Sequence, residues 1–303
     1  MPWVSEHRRG VALGAAAYLL WGLFPLYWPL LRPATPVEIL AHRIVWSLLV
    51  VVGLLAVRRR WSWLRTLGSR RTGLLSLAAV IIGANWLTYI YAVNAGYVVE
   101  TSLGYFINPL VTVCLGVLVL HETLRPVQWA ALGVAAVAVA VLTVDYGRLP
   151  WIALALAFTF AAYGLIKKTA GVGGVESLTV ETAVLLLPAA AYLALLSARQ
   201  ESTFGAAGFP HAALLASAGL VTAVPLVCFG AAAIRVPLST IGLLQYLAPI
   251  LQFLIGVVVY REDMPTSRWV GFALVWAALA VFTGDAVHSA RRRQLALAAE
   301  SVS

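Results

Sequence analysis

The chain has 303 residues, of which 62% are hydrophobic and only 11% charged, with a mean hydropathy of +0.91 and a formal net charge of +9. Soluble domains carry roughly a quarter charged residues, so this composition excludes a water-soluble globular enzyme and points to a protein embedded in a bilayer. The positive charge sits in loops and at the termini, which excludes a nucleic-acid reading and suits orientation against anionic lipid.

A helix needs ~20 apolar residues to cross ~30 Å of hydrocarbon. Runs of that size lie at 11–31, 37–57, 73–94, 99–120, 127–145, 149–166, 176–196, 212–234, 238–260 and 269–288. The first is too long for a cleavable leader and contains Trp21, Pro25 and Tyr27, so it reads as a spanning helix. Its aromatics Trp21, Tyr27 and Trp28 suit stacking on a planar or cationic group, and Trp28 equally suits an interfacial belt.

The second run opens with Thr35-Pro36-Val37-Glu38, a capping box with proline at the first helical position, in which Glu38 closes the helix end. It then carries Arg43 beside His42. Estimates for an arginine at the bilayer centre begin near ~2.5–3.5 kcal/mol, which makes Arg43 the outlier of the chain. A basic loop, 58–71, leads to the third run, where Asn85 and Tyr89 share one face with Trp86 between them.

The fourth run spaces Thr101, Tyr105, Asn108 and Thr112 by four, three and four, again on one face. The fifth, around Ala130 to Val141, holds only small and branched apolar residues and reads as a packing helix. In the seventh, Glu181 is the sole charge between Glu176 and Arg199 and occupies the position that corresponds to Arg43. The eighth is less polar, with Thr222, Pro225 and Cys228; the ninth repeats the stripe of the fourth through Gln245 and Gln252.

Residues 101–141 and 241–281 are two copies of one unit, in which Pro109 matches Pro249, Gly116 matches Gly256, Glu122 matches Glu262 and Trp129 matches Trp269. Five crossings per half force the second copy upside down relative to the first, the arrangement of secondary transporters. The expected fold is therefore all-α and integral to the membrane, with ten transmembrane helices in two inverted five-helix repeats around a central cavity. The first repeat covers 1–148, the second 149–288, and 289–303 form a tail. Arginines crowd before the first run, in the loop 58–71 and after the tenth, so the positive-inside rule puts both termini in the cytoplasm.

Polar groups in hydrocarbon must pair or face water. The substrate-cavity candidates are thus Arg43, His42, Asn85, Tyr89, Tyr105, Asn108, Thr112, Gln245, Gln252 and Trp21. Arg43 and Glu181 are expected to face a shared aqueous cavity, pairing with each other or with substrate; the competing reading has each snorkel to its own interface. Glu181 is the proton-coupling candidate if transport is coupled. Pro109 and Pro249 are hinge candidates, because each frees a backbone carbonyl near the polar stripes.

No nucleotide loop, nucleophile elbow or paired Cys spacing appears, so no catalytic residue, cofactor or metal is assigned. The leading expectation is a carrier for a small molecule working by alternating access, coupled to protons or not. Arg43 suits an anion, Glu181 a cation, and the two together a zwitterion such as an amino acid. The alternatives are a membrane-embedded enzyme, a lipid-handling protein or a non-transporting membrane subunit. The first lacks a visible catalytic constellation, and the duplicated polar stripes argue against the last.

Several stretches carry a resemblance: Trp21-Gly22, EILAHRIVWS from Glu38 to Ser47, GANW from Gly83 to Trp86, SLGYFINPL from Ser102 to Leu110, VPLVCF from Val224 to Phe229, and LSTIGLLQYLAP from Leu238 to Pro249. In these the chain resembles the drug/metabolite transporter superfamily, EamA-type family, RarD subfamily, over its whole length. The resemblance implies ten helices in two inverted repeats and a multi-pass carrier of the bacterial inner membrane, often an exporter of small metabolites. Where the family usually has Gly-Glu at the ends of helices four and nine, this chain has His121-Glu122 and Arg261-Glu262.

Overall fold

The computed structural model describes residues 2–58, 63, 67–121, 123–172 and 174–300. Helix α1 runs Pro2–Gly22 and continues, after a 40° bend, through Phe24–Leu31. Helices α2 to α8 are Pro36–Arg58, Ser69–Asn94, Val98–Leu120, Pro126–Tyr146, Trp151–Ala170, Gly174–Ala198 and Phe209–Ala233. Helix α9 is built from Leu238–Leu244, Leu247–Leu254 and the wide π turn Ile255–Val259; α10 is Thr266–Glu300. Among the described residues nine helices are long and apolar enough to cross a bilayer, and the bent α1 makes ten.

The breaks have local causes. Leu23 and Pro25 interrupt α1, because proline cannot donate the bond that would carry the helix through. Of the two hinge candidates, Pro109 lies inside an unbroken α4, whereas Pro249 follows an interruption at Gln245–Tyr246 and precedes the π turn. Three further differences from the sequence reading concern helix ends. Lys167 and Lys168, just beyond the run read at 149–166, form the last turn of α6, where cations complement the helix dipole. Arg70 and Arg71 lie in the first turn of α3. Residues 289–300, read as a tail, extend α10 as helix. Glu122 and Arg59, Arg60 and Arg65 of the basic loop fall outside the described residues.

His121 ends α4 with φ +54°, and Arg261 follows α9 with φ +52°. Both left-handed turns that glycine would make are present, made here by L-residues. The sequence departure from Gly-Glu therefore changes the residue and keeps the turn.

Packing follows a pattern that exchange of the two halves leaves intact. Helix α1 packs on α8 as α6 packs on α3; α1 touches α9 as α6 touches α4; α2 meets α8 as α7 meets α3. The pairs α2–α7, α4–α9 and α5–α10 join one half to the other. Small residues allow these approaches. A Cβ on Gly219 would come within 2.5 Å of the Trp46 backbone, and one on Gly104 within 2.8 Å of the Ala153 carbonyl. Ala131, Ala135, Ala138 and Leu142 of α5 pack against Phe272, Val275 and Leu279 of α10, so α5 and α10 form a lateral pair.

Candidate substrate site

Arg43 projects from the second turn of α2 and is only 4% exposed. Its guanidinium lies 4.0 Å from the Trp86 ring centre, 5.2 Å from Trp28 and 5.8 Å from Phe24. Three aromatic faces, from the α1 continuation and α3, thus form a box around one cation. Such contacts stabilise a desolvated cation by roughly 2 kcal/mol each, while removing a charge from water costs several kcal/mol. Arg43 has no hydrogen-bond acceptor and no carboxylate partner among the described residues, and its Nε is buried without a partner. Tyr27, Tyr89 and Tyr105 are within electrostatic reach of it.

Other unpartnered groups gather at the same place. The Trp28 Nε1–H and the Tyr89 hydroxyl are buried without hydrogen bonds among the described residues. Tyr89 meets Tyr105 edge-on at 5.7 Å, and Tyr105 meets Phe160 at 6.0 Å. Phe24, Trp28 and Tyr89 share a core with Leu31, Ile39, Ile90, Val98, Ile152 and Leu156, and Tyr105 packs against it, while Trp86 packs against a separate group of Val51, Leu178 and Ala223. Buried donors without acceptors are uncommon in proteins because each costs about 1–3 kcal/mol. Among the described residues, the Arg43 Nε, an indole N–H and a phenol hydroxyl in this cluster are thus buried without acceptors.

The remaining sequence candidates separate. His42 points elsewhere: its Nδ1 accepts the Trp46 Nε1–H at 3.3 Å and its ring stacks on Phe204 of the α7–α8 loop at 4.7 Å. Asn85 is buried and donates to the Leu156 carbonyl at 3.0 Å and Thr159 Oγ1 at 2.8 Å, so its amide clamps α3 to α6. Asn108 and Gln245 are half-buried, with Asn108 Oδ1 unpartnered. Thr112 is exposed and donates to the Asn108 carbonyl. Gln252 is buried, donates to the Trp21 carbonyl at 3.3 Å and leaves Oε1 unpartnered. Trp21 packs on Tyr18 and Phe229 at 5.2 and 5.8 Å.

Glu181 does not pair with Arg43. It is 1% exposed and takes Lys167 Nζ at 3.1 Å, the Tyr163 hydroxyl at 3.1 Å and the Ser177 hydroxyl. Lys167 was missed because its position near the end of an apolar run reads as loop. Two i, i+4 pairs, Tyr163/Lys167 and Ser177/Glu181, facing across a short connection were the signal that could have found it. Glu38 was likewise incompletely read. Its backbone N–H is capped by Thr35 Oγ1 at 3.2 Å, but its carboxylate leaves its own helix and accepts Thr203 N–H at 2.7 Å.

At the end of the bundle where α4 begins, cross-links are dense. Buried Glu100 takes Arg148 at 2.7 Å, Asp145 takes Arg268 at 2.8 Å, and the Tyr260 hydroxyl donates to the Pro25 carbonyl at 2.7 Å. The partnership with Glu100 raises the Arg148 pKa above the ordinary arginine value. The opposite end has Arg235–Glu6 at 2.9 Å and Arg125–Asp285 at 2.7 Å. No group of three His, Cys, Asp or Glu side chains suited to a metal occurs among the described residues.

Residues 8–144 match the EamA-like transporter family. "Protein RarD" of Streptomyces exfoliatus is 59% identical over 97% of this chain and 94% of its own. A protein of Pseudomonas aeruginosa named as an uncharacterized transporter is 45% identical over 94% of this chain and 96% of its own. A solved structure, 20% identical, superposes with a TM-score of 0.58 over 93% of this chain and 98% of that one, which shows the shared fold. The chain therefore belongs to the EamA-like transporters, in the RarD subfamily of the drug/metabolite transporter superfamily, and is a multi-pass membrane transporter of the bacterial inner membrane.

Proposed function

We propose that the chain is a secondary transporter that exports small metabolites carrying an acidic group, and that Arg43 binds that group. The observation that carries this reading is the buried guanidinium that has no acceptor among the described residues, beside two further donors without partners among them, Trp28 Nε1 and the Tyr89 hydroxyl. A carboxylate meets a guanidinium through two parallel bonds, and the flat box of Phe24, Trp28 and Trp86 suits a planar or apolar remainder. Because Glu181 is held by Lys167, an anion fits this site better than the zwitterion that both charges together would take.

Alternating access is supported by the packing pattern that exchange of halves preserves; on this reading the repeats 1–148 and 149–288, of five crossings each, are related by inversion. On this reading both termini are cytoplasmic, and the cross-linked end that includes Glu100–Arg148 faces outward and is shut. Glu181 remains the proton-coupling candidate: taking up a proton there would loosen its pair with Lys167. The test is metabolite profiling of medium from overexpressing and deletion strains, followed by flux of the acidic hits in proteoliposomes. Hits that are acids, whose flux falls with Arg43→Met, support the proposal; hits without an anionic group, or flux indifferent to Arg43, overturn it.

A further inference from the structure

The loop between α9 and α10 grips two separate pieces of the first half. Tyr260 closes α9, and its hydroxyl donates to the Pro25 carbonyl in the continuation of α1 at 2.7 Å. That carbonyl is open to an outside donor because Pro29, four residues on, has no N–H to return to it. Glu262 reaches instead to the first two amides of α4: Oε1 accepts Val98 N–H at 2.6 Å, and Oε2 accepts Val99 N–H at 3.0 Å. Tyr97, the residue before α4, supplies no side-chain cap, so the acceptor comes from this loop, and amides at a helix N-terminus favour a carboxylate. The loop is shaped for the double reach. Arg261 turns at φ +52° between the two, the Glu262 N–H returns to the Gly256 carbonyl at 3.0 Å, and a Cβ on Gly256 would meet Val99 Cγ2 at 2.7 Å.

The two pieces belong to opposite walls of the site around Arg43. Phe24 and Trp28 come from the α1 continuation, and α1 packs on α8 and α9. Tyr105 comes from α4, and Trp86 and Tyr89 from α3; both of those helices pack on α6. Glu100, in the first turn of α4, is committed to Arg148 and to the Ile152 N–H, which tie that turn to the start of α6. Glu262 therefore bonds across the joint between two groups of helices, while Tyr260 fixes the same loop to the wall on its own side. Arg32 adds a link across the joint at its exposed rim, donating to the Asn94 carbonyl at 2.5 Å.

We infer that Tyr260 and Glu262 are positioning residues of the transport cycle: their loop is a strap that holds the two walls of the Arg43 site together at the outward end, and substrate passes there only when the strap lets go. The inference rests on the alternating-access reading and on Arg43 as the substrate contact. A strap fails when either end is cut. Loss of the Tyr260 hydroxyl and loss of the Glu262 charge therefore open the same gap, although the two residues hold different elements. Removing one neutral hydrogen bond shifts the closed-to-open ratio about 5-fold, and weakening a charge-assisted pair shifts it about 10-fold or more.

The experiment places spin labels at exposed Leu30, on the α1 continuation, and exposed Ala95, in the turn before α4, in the full chain with Cys114 and Cys228 replaced by alanine. The pair spans the gap and touches neither end of the strap. Distances are measured in lipid nanodiscs for the parent, Tyr260→Phe and Glu262→Gln, with thermal unfolding of each. The expected result is a long-distance population that rises relative to the short one by about 5-fold in Tyr260→Phe and about 10-fold or more in Glu262→Gln. A purely structural role lowers the melting temperature and leaves that ratio alone. Should Glu262→Gln fail to fold, Tyr260→Phe decides, since it removes one oxygen and keeps the ring. Two populations whose ratio ignores Tyr260→Phe, or ignores a folded Glu262→Gln, overturn the strap and leave alternating access standing. A single population in the parent and both variants overturns both. Distances that respond as expected support the strap, and acid flux indifferent to Arg43→Met would then refute the substrate contact alone.

Discussion

Arg43→Met separates a structural arginine from one kept for a ligand. In the protein alone, Arg43 is 4% exposed, surrounded by three aromatic rings and without an acceptor among the described residues. Burial of such a charge costs several kcal/mol, and the ring contacts return only part of that. Methionine matches the aliphatic stem and leaves no unpartnered donor, so the substrate-free protein should gain about 1–3 kcal/mol, within the range seen when buried charges are replaced by apolar groups. An acidic substrate loses its charge-assisted bonds, each about 1.5–3 kcal/mol, which at 1.4 kcal/mol per tenfold weakens binding by at least about 10- to 100-fold. Thermal unfolding of the purified protein and flux in proteoliposomes read the two effects separately. A lower melting temperature with undiminished flux would refute the reasoning, because it would show that the guanidinium holds the fold and not a ligand.

Lys167→Met leaves Glu181, 1% exposed, without its cation, and should cost about 3–5 kcal/mol; adding Glu181→Gln should recover most of it, as a double-mutant cycle by thermal unfolding would measure. Gly219→Ala drives a methyl to 2.5 Å from the Trp46 backbone, which cannot retreat without moving α2 against α8. A loss of about 1–3 kcal/mol is expected, and a neutral melting curve would show that the two helices pack less tightly than described. His121→Gly and Arg261→Gly place glycine at φ +54° and φ +52°, and each should stabilise by about 1 kcal/mol in the same assay.

Spacing and composition located the spans well because a bilayer imposes length and apolarity on every crossing helix. Helix count, the packing role of α5 and the singularity of Arg43 were legible for that reason. The partner of Glu181 was not, because Lys167 lies in the last turn of α6 and apolarity falls off there before the helix does. Asn85 and His42 show another limit. A polar residue in a span must find a partner, but sequence does not say whether that partner is a substrate, a neighbouring carbonyl such as that of Leu156, or an indole such as Trp46. Glu262 was seen only as half of a repeated Gly-Glu-like pair, since its recipients at Val98 and Val99 are far away in sequence.

The two halves echo each other in backbone and diverge in chemistry. Positions 43 and 181 correspond in sequence, yet Arg43 is boxed by rings without an acceptor among the described residues, and Glu181 is satisfied by three side chains. If both were structural pillars, symmetry would favour the same solution at each, and a second acid near Arg43 would complete it. Among the described residues the arginine side lacks one. A fold can carry an unpartnered buried cation when another molecule supplies the counter-charge for part of its working cycle. Such a cation destabilises the empty state and so drives the protein to bind or to rearrange. That asymmetry, and not the number of polar residues in the spans, is the reason for proposing Arg43 as the substrate contact.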